Sequence, residues 1–388
     1  MKVQIISTSR ADRGPLEAVR DALMSRAGIA VGSASLEIDP MGGAPEDCAN
    51  AAFEISLRAT DMLSEDPPDL VVLLGDRYET LGVAVASSIM RVPIAHLSGG
   101  DVTEGSADDC YRHAVSKLAH LHFPTHHAAA ERLVQMGEAR EIVHCVGCPG
   151  IDKLLAAKLP GRGEALEAAG LPGDAKEVLL VCMHPNSMGN TLHDMREVML
   201  ALSRLPNDLC MVIVGPNADA NHDVVRECWK GWARDRPRAV YRDTLGQDIY
   251  LSLMKHCLAM VGNSSSGLYE APSFGTVAIN IGERQMGRPR ALSVIDCPAE
   301  HNAIFSSIAL VPYRRAAAVT NPYGDGHAGE RIADVIAGIG DTRALLRKVF
   351  YDLRPGVGGD TQISRMGRLP AARAHAMAGA PLQALYLD

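Results

Sequence analysis

Short apolar runs that end in polar, glycine-containing loops recur along the chain, and helical segments separate them. The clearest is Leu70–Leu74 (LVVLL), which lies between Pro68 and Gly75. A run of five apolar residues is too short to span a membrane and is typical of a strand buried on both faces of a parallel sheet. A helical segment over 79–90 and a second short strand over 93–97 follow it. The alternation predicts an α/β fold with parallel sheets.

The chain holds two such series, so we predict two Rossmann-like domains that face each other across a cleft. The first is expected over residues 1–165, with 142–146 as its last strand, and the second over 166–340. A stretch rich in glycine, proline and charge, 159–177, is the predicted linker. The length of 388 residues also favours two domains over a single core. Residues 341–388 lack the pattern and are expected to form a tail of unknown role.

Composition narrows the class of protein. The formal net charge of −8 and a pI near 6.0 argue against a nucleic-acid-binding surface, which normally carries a basic patch. The nine cysteines are scattered through apolar segments, as reduced core residues of a cytoplasmic protein would be. The opening residues, MKVQIIS, predict a strand instead of a signal peptide, and no apolar run approaches membrane-spanning length. We therefore expect a cytoplasmic protein that binds neither nucleic acid nor a membrane.

Carboxylates follow two neighbouring strands of the first domain. Asp76 comes soon after the strand 70–74, and Asp101 follows the strand 93–97. Parallel strands deliver their carboxyl ends to one edge of a sheet, where open α/β folds bind ligands, so this edge is the candidate active site. Carboxylates gathered in a closed cleft can serve as general acid and general base.

A predicted helix from Tyr111 carries or follows further candidates. Arg112 and His113 lie one helical step beyond Asp108, so they could reach the cleft or simply tie the helix to the sheet. Asp109 has a second interpretation as a helix cap.

Histidines mark two other places. His184 ends the first strand of the second domain at the edge of the cleft, a position that favours function although a lone histidine is more often structural. A group of four, His120, His122, His126 and His127, has the count of a metal cluster, but no carboxylate follows at ligand spacing. No GxGxxG follows the first strand, so the dinucleotide fingerprint is absent. We expect neither a metal nor another cofactor.

The strongest single motif is GNSSSG at 262–267, with Glu270 after it. It follows a predicted strand and opens a helix, so backbone N–H groups, the helix dipole and the hydroxyls of Ser264 and Ser265 converge there. A plain helix cap is the alternative, but a cap needs only one serine. We predict a diphosphate site here, with Gly267 in its loop and Glu270 placed to accept hydrogen bonds from ribose hydroxyls.

Arginines in loops after strands extend this predicted binding site. Arg10, Arg284 and Arg288 have such positions, and guanidinium groups suit bidentate recognition of phosphate. A solvated loop charge is the alternative interpretation for each. Arg77, at the first strand edge, and Gln285, beside Arg284, complete the set that we expect to contact substrate.

Several long motifs, taken in chain order, resemble those of the hydrolysing UDP-N-acetylglucosamine 2-epimerase family, and the resemblance covers roughly residues 1–340. The motifs are TSRADRG at 8–14, GDRYE at 75–79, GGDVTEG at 99–105, DD and RH within 108–113, GCPGIDKL at 147–154, MHPNS at 183–187, GNSSSG at 262–267, GERQMGR at 282–288 and YGDG at 323–326. The resemblance implies a two-domain fold of the glycosyltransferase-B type. It also implies homodimers or homotetramers, which family members often form.

The resemblance further implies a reaction in two halves. A base removes the proton at sugar C2 as UDP leaves C1, and water then adds to the resulting 2-acetamidoglucal to release the free 2-epimer. From UDP-N-acetylglucosamine the product is N-acetylmannosamine, and no cofactor takes part. The resemblance implies catalytic roles for Asp76, Asp108 and His184, and we add Asp101, Arg112 and His113 to the predicted catalytic set because of their positions. The resemblance implies that the nucleotide diphosphate is held by Arg10, Ser264, Ser265, Glu270 and Arg284. Arg77, Gly267 and Gln285 complete the predicted substrate- and UDP-binding set.

One departure from the family pattern leaves alternatives open. Some relatives carry Glu before the Gly-Gly pair and commonly Glu after it, where this chain has Ser98 and Asp101. A serine cannot serve as a carboxylate base, so a different sugar is the alternative substrate: UDP-N,N′-diacetylbacillosamine, on the way to legionaminic acid instead of sialic acid. Two other classes are a glycosyltransferase of the same fold, which would release UDP only with an acceptor, and a catalytically silent nucleotide-sugar-binding protein.

Overall fold

Two parallel β-sheets, each covered by helices on both faces, form the framework of the protein. The computed structural model describes residues 1–38, 45–103, 107–185, 190–216, 222–314 and 319–352. Residues Met1–Tyr351 form one compact unit. Within the described ranges, no helix is both long enough and apolar enough to cross a membrane.

The first sheet has five strands in the order β2-β1-β3-β4-β5, and all neighbouring pairs are parallel. Its elements are β1 (Lys2–Ser7), α1 (Arg10–Met24), β2 (Ala30–Ser35), α2 (Pro45–Glu65), β3 (Leu70–Leu74), α3 (Tyr78–Ile89), β4 (Ile94–Leu97), α4 (Ala107–Leu118), β5 (Leu121–Phe123), α5 (His127–Gln135) and α6 (Pro149–Ala156).

The second sheet has six parallel strands in the order β11-β10-β9-β6-β7-β8. Its elements are α7 (Arg162–Ala169), β6 (Val178–Cys182), α8 (Thr191–Ser203), β7 (Cys210–Val214), α9 (His222–Arg234), β8 (Ala239–Arg242), α10 (Gln247–His256), β9 (Ala259–Gly262), α11 (Ser266–Tyr269), β10 (Ala278–Ile281), β11 (Val294–Cys297), α12 (His301–Ala309), α13 (Val311–Arg314) and α14 (Ala328–Ala337).

Strand β3 shows why its sequence is apolar without interruption. Leu70 and Val72 pack on one face of the sheet, in a cluster with residues of α1, whereas Val71 and Leu73 pack on the other, with residues of α2 and α3. All four side chains are fully buried. Because successive strand residues point to opposite faces, a strand covered on both sides needs an apolar residue at every position. The predicted parallel α/β architecture is confirmed.

Helix α14 returns the chain to the first sheet. Ile332 and Ile336 belong to the same buried cluster as Val3 of β1 and Leu16 of α1. The Asp152 carboxylate accepts the first free N–H groups of the helix, those of residues 328 and 329, at 3.0 and 2.6 Å. The C-terminal end of the second series therefore packs on the first sheet, while the exact domain limits stay a prediction.

One local prediction was wrong. Residues 142–146 form no strand: Val143 makes a single bridge to His122, and Pro124, which would have to donate the next bond of a parallel ladder, has no N–H. The predicted linker, 159–177, is partly helical. It contains α7, whose Leu166 packs in the core of the second sheet.

Candidate active site

A cavity of about 450 Å³ lies at the carboxyl ends of β3 and β4, and residues that follow β9 and β10 form its other side. Loops of both sheets line this cavity, because in a parallel sheet the loops that follow the strands lie at one edge. The polar side chains that line it are Asp76, Ser98, Asp101, Thr103, Arg112, Thr125, His126, Arg132, Tyr269 and Arg288. The structure thus brings together the two strand-end carboxylates that the sequence predicted to be neighbours.

Arg112 bonds to several residues on the side of the cavity that contains Asp76 and Asp101, which we call the first wall. Its guanidinium donates to the Asp76 carboxylate, to Asp109 Oδ1 at 3.0 Å, to Thr103 Oγ1 at 3.0 Å and to the backbone oxygen of Asp101 at 2.9 Å. The side chain is only 5% exposed. Burial disfavours its charge, but the carboxylates around it, Asp76 first, outweigh burial and raise the pKa of the guanidinium.

The first turn of α4 holds the next candidates. Asp109 accepts the backbone N–H of Thr103 at 2.7 Å as well as a bond from Arg112, so it fixes the loop that precedes the helix. His113 Nε2 lies 3.4 Å from Asp109 Oδ2, and its Nδ1 is buried without a partner among the described residues. Asp108 also lies in this turn and is half-buried. Asp109 therefore has structural contacts that connect Thr103 and Arg112, and the catalytic role of Asp108 stays a prediction.

Asp101 has its own partners. Its Oδ1 lies 2.8 Å from His126 Nε2 and 3.4 Å from the hydroxyl of Thr125. Sequence reasoning identified His126 only as part of a histidine group. The residue lies 25 positions from Asp101 (126 minus 101), and the contact arises only when β4 and β5 pair.

A buried histidine supports the loop that carries Asp101. His96 Nε2 donates to the Gly75 carbonyl at 2.8 Å, and its Nδ1 lies 3.1 Å from Ser116 Oγ. Burial lowers the pKa of His96 to about 3, so the ring is neutral. A Cβ on Gly99 would lie 2.8 Å from His96 Nδ1, which excludes a side chain there. Ser98, at φ 62°, adopts a left-handed conformation and lines the cavity.

Strand β9 ends at Gly262, a position where the backbone leaves no space for a side chain. Gly262 has φ 147°, and a Cβ there would lie 1.9 Å from the backbone oxygen of Cys182. The next residue, Asn263, joins the ends of β9 and β6: its Oδ1 accepts the N–H of His184 at 2.7 Å, and its Nδ2 donates to the His184 carbonyl at 2.9 Å. His184 is thereby fixed at the strand edge, with Nε2 3.5 Å from Cys182 Sγ.

Ser264 and Ser265 follow, but the helix they open is short. Helix α11 has four residues and continues as a 3₁₀ turn, Ala271–Phe274, so few peptide dipoles align there. The hydroxyls of this loop and nearby arginines must supply most of any anion stabilisation. Gly267 packs tightly, because a Cβ on it would lie 3.2 Å from that of Ala278.

Arg284 and Gln285 face the same loop. Arg284 Nη1 and Gln285 Nε2 donate to the backbone oxygen of Asn263 at 3.3 and 2.9 Å, and Gln285 is buried. Arg288 in turn donates to Gln285 Oε1 at 2.6 Å. The structure therefore places these residues beside the loop that contains Ser264 and Ser265, which we call the serine loop, as predicted. Gln285 also has a structural contact there.

Glu270 closes this wall with an unsatisfied oxygen. Burial raises the pKa of Glu270, and its Oε2 has no hydrogen-bond partner in the part of the chain that the structure describes. Beside it, the rings of Tyr269 and Tyr323 stack with centroids 3.8 Å apart, and the Arg288 guanidinium lies 5.4 Å from the Tyr269 ring. Tyr269 lines the cavity, so the serine loop and the cavity are adjoining parts of one site.

Two predicted binding residues have different positions. Arg77 is the N-cap residue of α3 and forms a two-pronged pair with Glu79, with bonds of 3.1 and 2.8 Å, so its guanidinium is already paired with a residue of that helix. Arg10 is the first residue of α1, but its side chain lies outside the described part of the structure. Of the histidine group, His122 bonds to Glu138 at 3.0 Å and His120 accepts the N–H of Ile94 at 3.2 Å.

Two parallel α/β sheets with a ligand cavity between their carboxyl edges define the glycosyltransferase-B-type fold. The family model described as UDP-N-acetylglucosamine 2-epimerase matches residues 21–337. The chain belongs to the UDP-N-acetylglucosamine 2-epimerase family.

Named relatives and solved structures agree with this. The chain is 38% identical, over 240 residues, to the GDP/UDP-N,N′-diacetylbacillosamine 2-epimerase (hydrolyzing) of Campylobacter jejuni, covering 61% of this chain and 62% of that protein, less than two thirds of its length. It is 31% identical to the UDP-N,N′-diacetylbacillosamine 2-epimerase (hydrolyzing) of Legionella pneumophila, covering 78% and 82%. A Neisseria meningitidis UDP-GlcNAc 2-epimerase bound to UDP-GlcNAc has the same fold, with a TM-score of 0.72 at 18% identity, covering 87% and 99%.

Proposed function

We propose that this protein is a hydrolysing 2-epimerase, which converts a UDP-linked 2-acetamido sugar into UDP and the free 2-epimer. The observation that carries the proposal is the arrangement of the two walls. Asp76 and Asp101 lie on one side of the cavity with Arg112, and the serine loop with Glu270 adjoins the other. Elimination of a nucleotide needs both parts at once: a base at the sugar and a site that stabilises the departing diphosphate.

In the first half-reaction a carboxylate takes the proton from sugar C2 while the C1–O bond breaks and its electrons leave with UDP. The product is a 2-acetamidoglucal. In the second half-reaction water adds at C1 and a proton returns to C2 from the opposite face, which gives the free 2-epimer. We assign the proton transfers to Asp76, Asp101 and Asp108. His184 and His113 are the remaining proton-transfer candidates.

Departure of UDP requires compensation for the charge that develops on the diphosphate. The hydroxyls of Ser264 and Ser265 and the guanidinium of Arg284 are the groups that we assign to this step, with Arg10 from the first domain. Glu270 accepts the ribose hydroxyls through its unsatisfied Oε2. An unpaired buried oxygen costs about 1–3 kcal/mol, and a ligand hydroxyl would remove that cost.

Two sugars are candidates, and the relatives favour the second. UDP-N-acetylglucosamine fits the family as a whole. UDP-N,N′-diacetylbacillosamine is supported by the names of the Campylobacter and Legionella relatives, at 38% and 31% identity. Ser98 also supports it, since the residue directly before Gly99 is a serine where some relatives carry Glu. The Campylobacter name includes GDP as well as UDP, so the nucleotide must be tested together with the sugar.

The test is to incubate the protein with each candidate nucleotide sugar and to separate the nucleotide from the free sugar by chromatography. We expect nucleotide and free 2-epimer in equal amounts without any acceptor. Asp76→Asn should abolish the reaction, whereas Asp21→Asn, an exposed change on α1, should not. Release of UDP only when an acceptor is added would support a glycosyltransferase. Tight UDP binding with no turnover would support a silent binding protein.

We also propose that the protein forms homo-oligomers through α2 and α3. Phe53 and Leu57 on α2 are 72% and 67% exposed, and Ile89 on the adjoining α3 is 77% exposed. Phe53 and Leu57 are four residues apart and therefore lie on one side of α2, and exposed apolar side chains grouped in this way are typical of an interface. Sedimentation should show a dimer or larger species that Phe53→Glu dissociates, while Met24→Glu, at an exposed site on α1, leaves it intact.

A further inference from the structure

The helix that His126 caps fixes which of its two ring nitrogens acts as the hydrogen-bond acceptor. His126 is the N-cap residue of α5, and its Nδ1 accepts the backbone N–H of Ala129 at 3.2 Å. A backbone N–H can only donate, so Nδ1 must carry a lone pair and the ring proton must sit on Nε2. The ring is also buried. The cap therefore turns His126 into a hydrogen-bond donor with one fixed direction.

That donor is directed at a carboxylate in the cavity. His126 Nε2 lies 2.8 Å from Asp101 Oδ1, and Thr125 adds its hydroxyl to the same oxygen at 3.4 Å. Arg112 holds the backbone of Asp101 through a 2.9 Å bond to its carbonyl. Main chain and side chain of Asp101 are thus each fixed by a separate group.

The His126 ring also contacts Tyr323, a residue that follows the second sheet in the chain. The two rings meet edge to face, with centroids 5.9 Å apart. Tyr323 is fully buried, stacks on Tyr269 and donates its hydroxyl to the Pro289 carbonyl at 3.1 Å. The ring consequently has little freedom to rotate away from Asp101.

We propose that His126 is a positioning residue, which orients the Asp101 carboxylate toward the sugar through its Nε2–H. The inference rests on the proposed 2-epimerase function and gives Asp101 a specific support that the sequence motif alone did not indicate. A histidine serves better here than a common N-cap residue because it caps with one nitrogen and donates with the other. Asn, Ser or Asp at this position could cap, but their side chains end too early to reach Asp101.

Two substitutions separate the cap from the donor. His126→Asn keeps a good N-cap and removes the Nε2 donor, whereas His126→Gln keeps a donor of similar reach and loses the cap. We expect His126→Asn to remain folded, yet to lower kcat by about 10- to 100-fold with little change in KM, as for a lost hydrogen bond to a charged group. His126→Gln should melt at a lower temperature but retain more of kcat. His127→Asn, at the exposed neighbouring position, is the control.

A double mutant tests whether His126 acts through Asp101. In an Asp101→Asn background, the further change His126→Asn should lower kcat by much less than it does alone. Native kcat in His126→Asn, or an equal loss in both backgrounds, would overturn the proposal. So would a kcat of His126→Gln no higher than that of His126→Asn in protein that remains folded.

A second measurement needs no turnover. In protein labelled with ¹⁵N-histidine, the signal that disappears in His126→Asn should show a protonated Nε2 and an unprotonated Nδ1 near neutral pH. A proton on Nδ1 would refute the geometry. If the native protein turned over no nucleotide sugar, the proposed function would fail while this spectrum still decided the role of the His126 ring.

Discussion

Replacing Arg112 is the sharpest test of how the first wall is built. Its guanidinium serves four acceptors: the carboxylates of Asp76 and Asp109, the hydroxyl of Thr103 and the backbone oxygen of Asp101. Arg112→Met keeps much of the length of the side chain but leaves all four without their donor. Arg112→Lys keeps the charge, but an ammonium cannot reproduce the planar fork that spans them.

The structure sets the magnitude of the loss. Removing one partner of a buried ion pair costs about 3–5 kcal/mol. The carboxylates here are 33% and 26% exposed, so water can partly replace the guanidinium and the lower end of the range applies. We expect Arg112→Met to lower the free energy of unfolding by about 3 kcal/mol and Arg112→Lys by about half of that. Both should lower kcat at least 100-fold, because Asp76 and the loop at Asp101 lose their orientation.

Urea denaturation followed by circular dichroism measures the first effect, and release of UDP measures the second. Arg140→Met is the matched control, since Arg140 forms a two-pronged pair with Glu131 that lies on the surface. It should change neither quantity measurably. If Arg112→Met unfolded at the native urea concentration, the network would not hold the site together and the reasoning would be refuted.

Three further predictions follow from single contacts. Gly262→Ala should lower the free energy of unfolding by about 3 kcal/mol or more, since its Cβ would meet a backbone oxygen at 1.9 Å, whereas Gly246→Ala, with open space around it, should unfold like the native protein in urea. Glu270→Met should stabilise the free protein by about 1 kcal/mol and weaken UDP binding, measured by calorimetry; unchanged UDP affinity would remove Glu270 from the binding site. Burial lowers the pKa of His96 to about 3. Between pH about 6.5 and 3, the unfolded chain therefore binds a proton at this residue and the folded protein does not, so the free energy of unfolding should fall as the pH drops through this range. His96→Gln should make this fall smaller in urea titrations; an unchanged slope would contradict the assignment.

The order of strands and helices could be predicted because each buried strand is a continuous apolar run. Leu70–Leu74 and Val178–Cys182 are both covered on two faces, and neither leaves room for a polar residue. Where the apolar signal was weaker, prediction failed. Helix α7 was hidden in a segment rich in glycine, proline and charge, and only its burial against β6 reveals it.

The candidate site was predicted in part for the same reason. Strand-end position sufficed to bring Asp76 and Asp101 into one cavity, because topology fixes where parallel strands end. Position did not predict which residue each side chain would bond to. Arg77 forms an ion pair with Glu79, two residues further along the chain, and does not line the cavity with Arg112. The contact between His126 and Asp101 depends on strand pairing and on a helix cap together, and no spacing in the sequence encodes it.

The most direct test of the central claim is to run the reaction in deuterated water and to follow the free sugar by NMR. Elimination and rehydration predict that UDP and the 2-epimer appear together, with one deuterium at C2 of every product molecule. A free sugar that keeps its original hydrogen at C2 would contradict the proposed mechanism, because the carboxylates of the first wall would then have removed no proton.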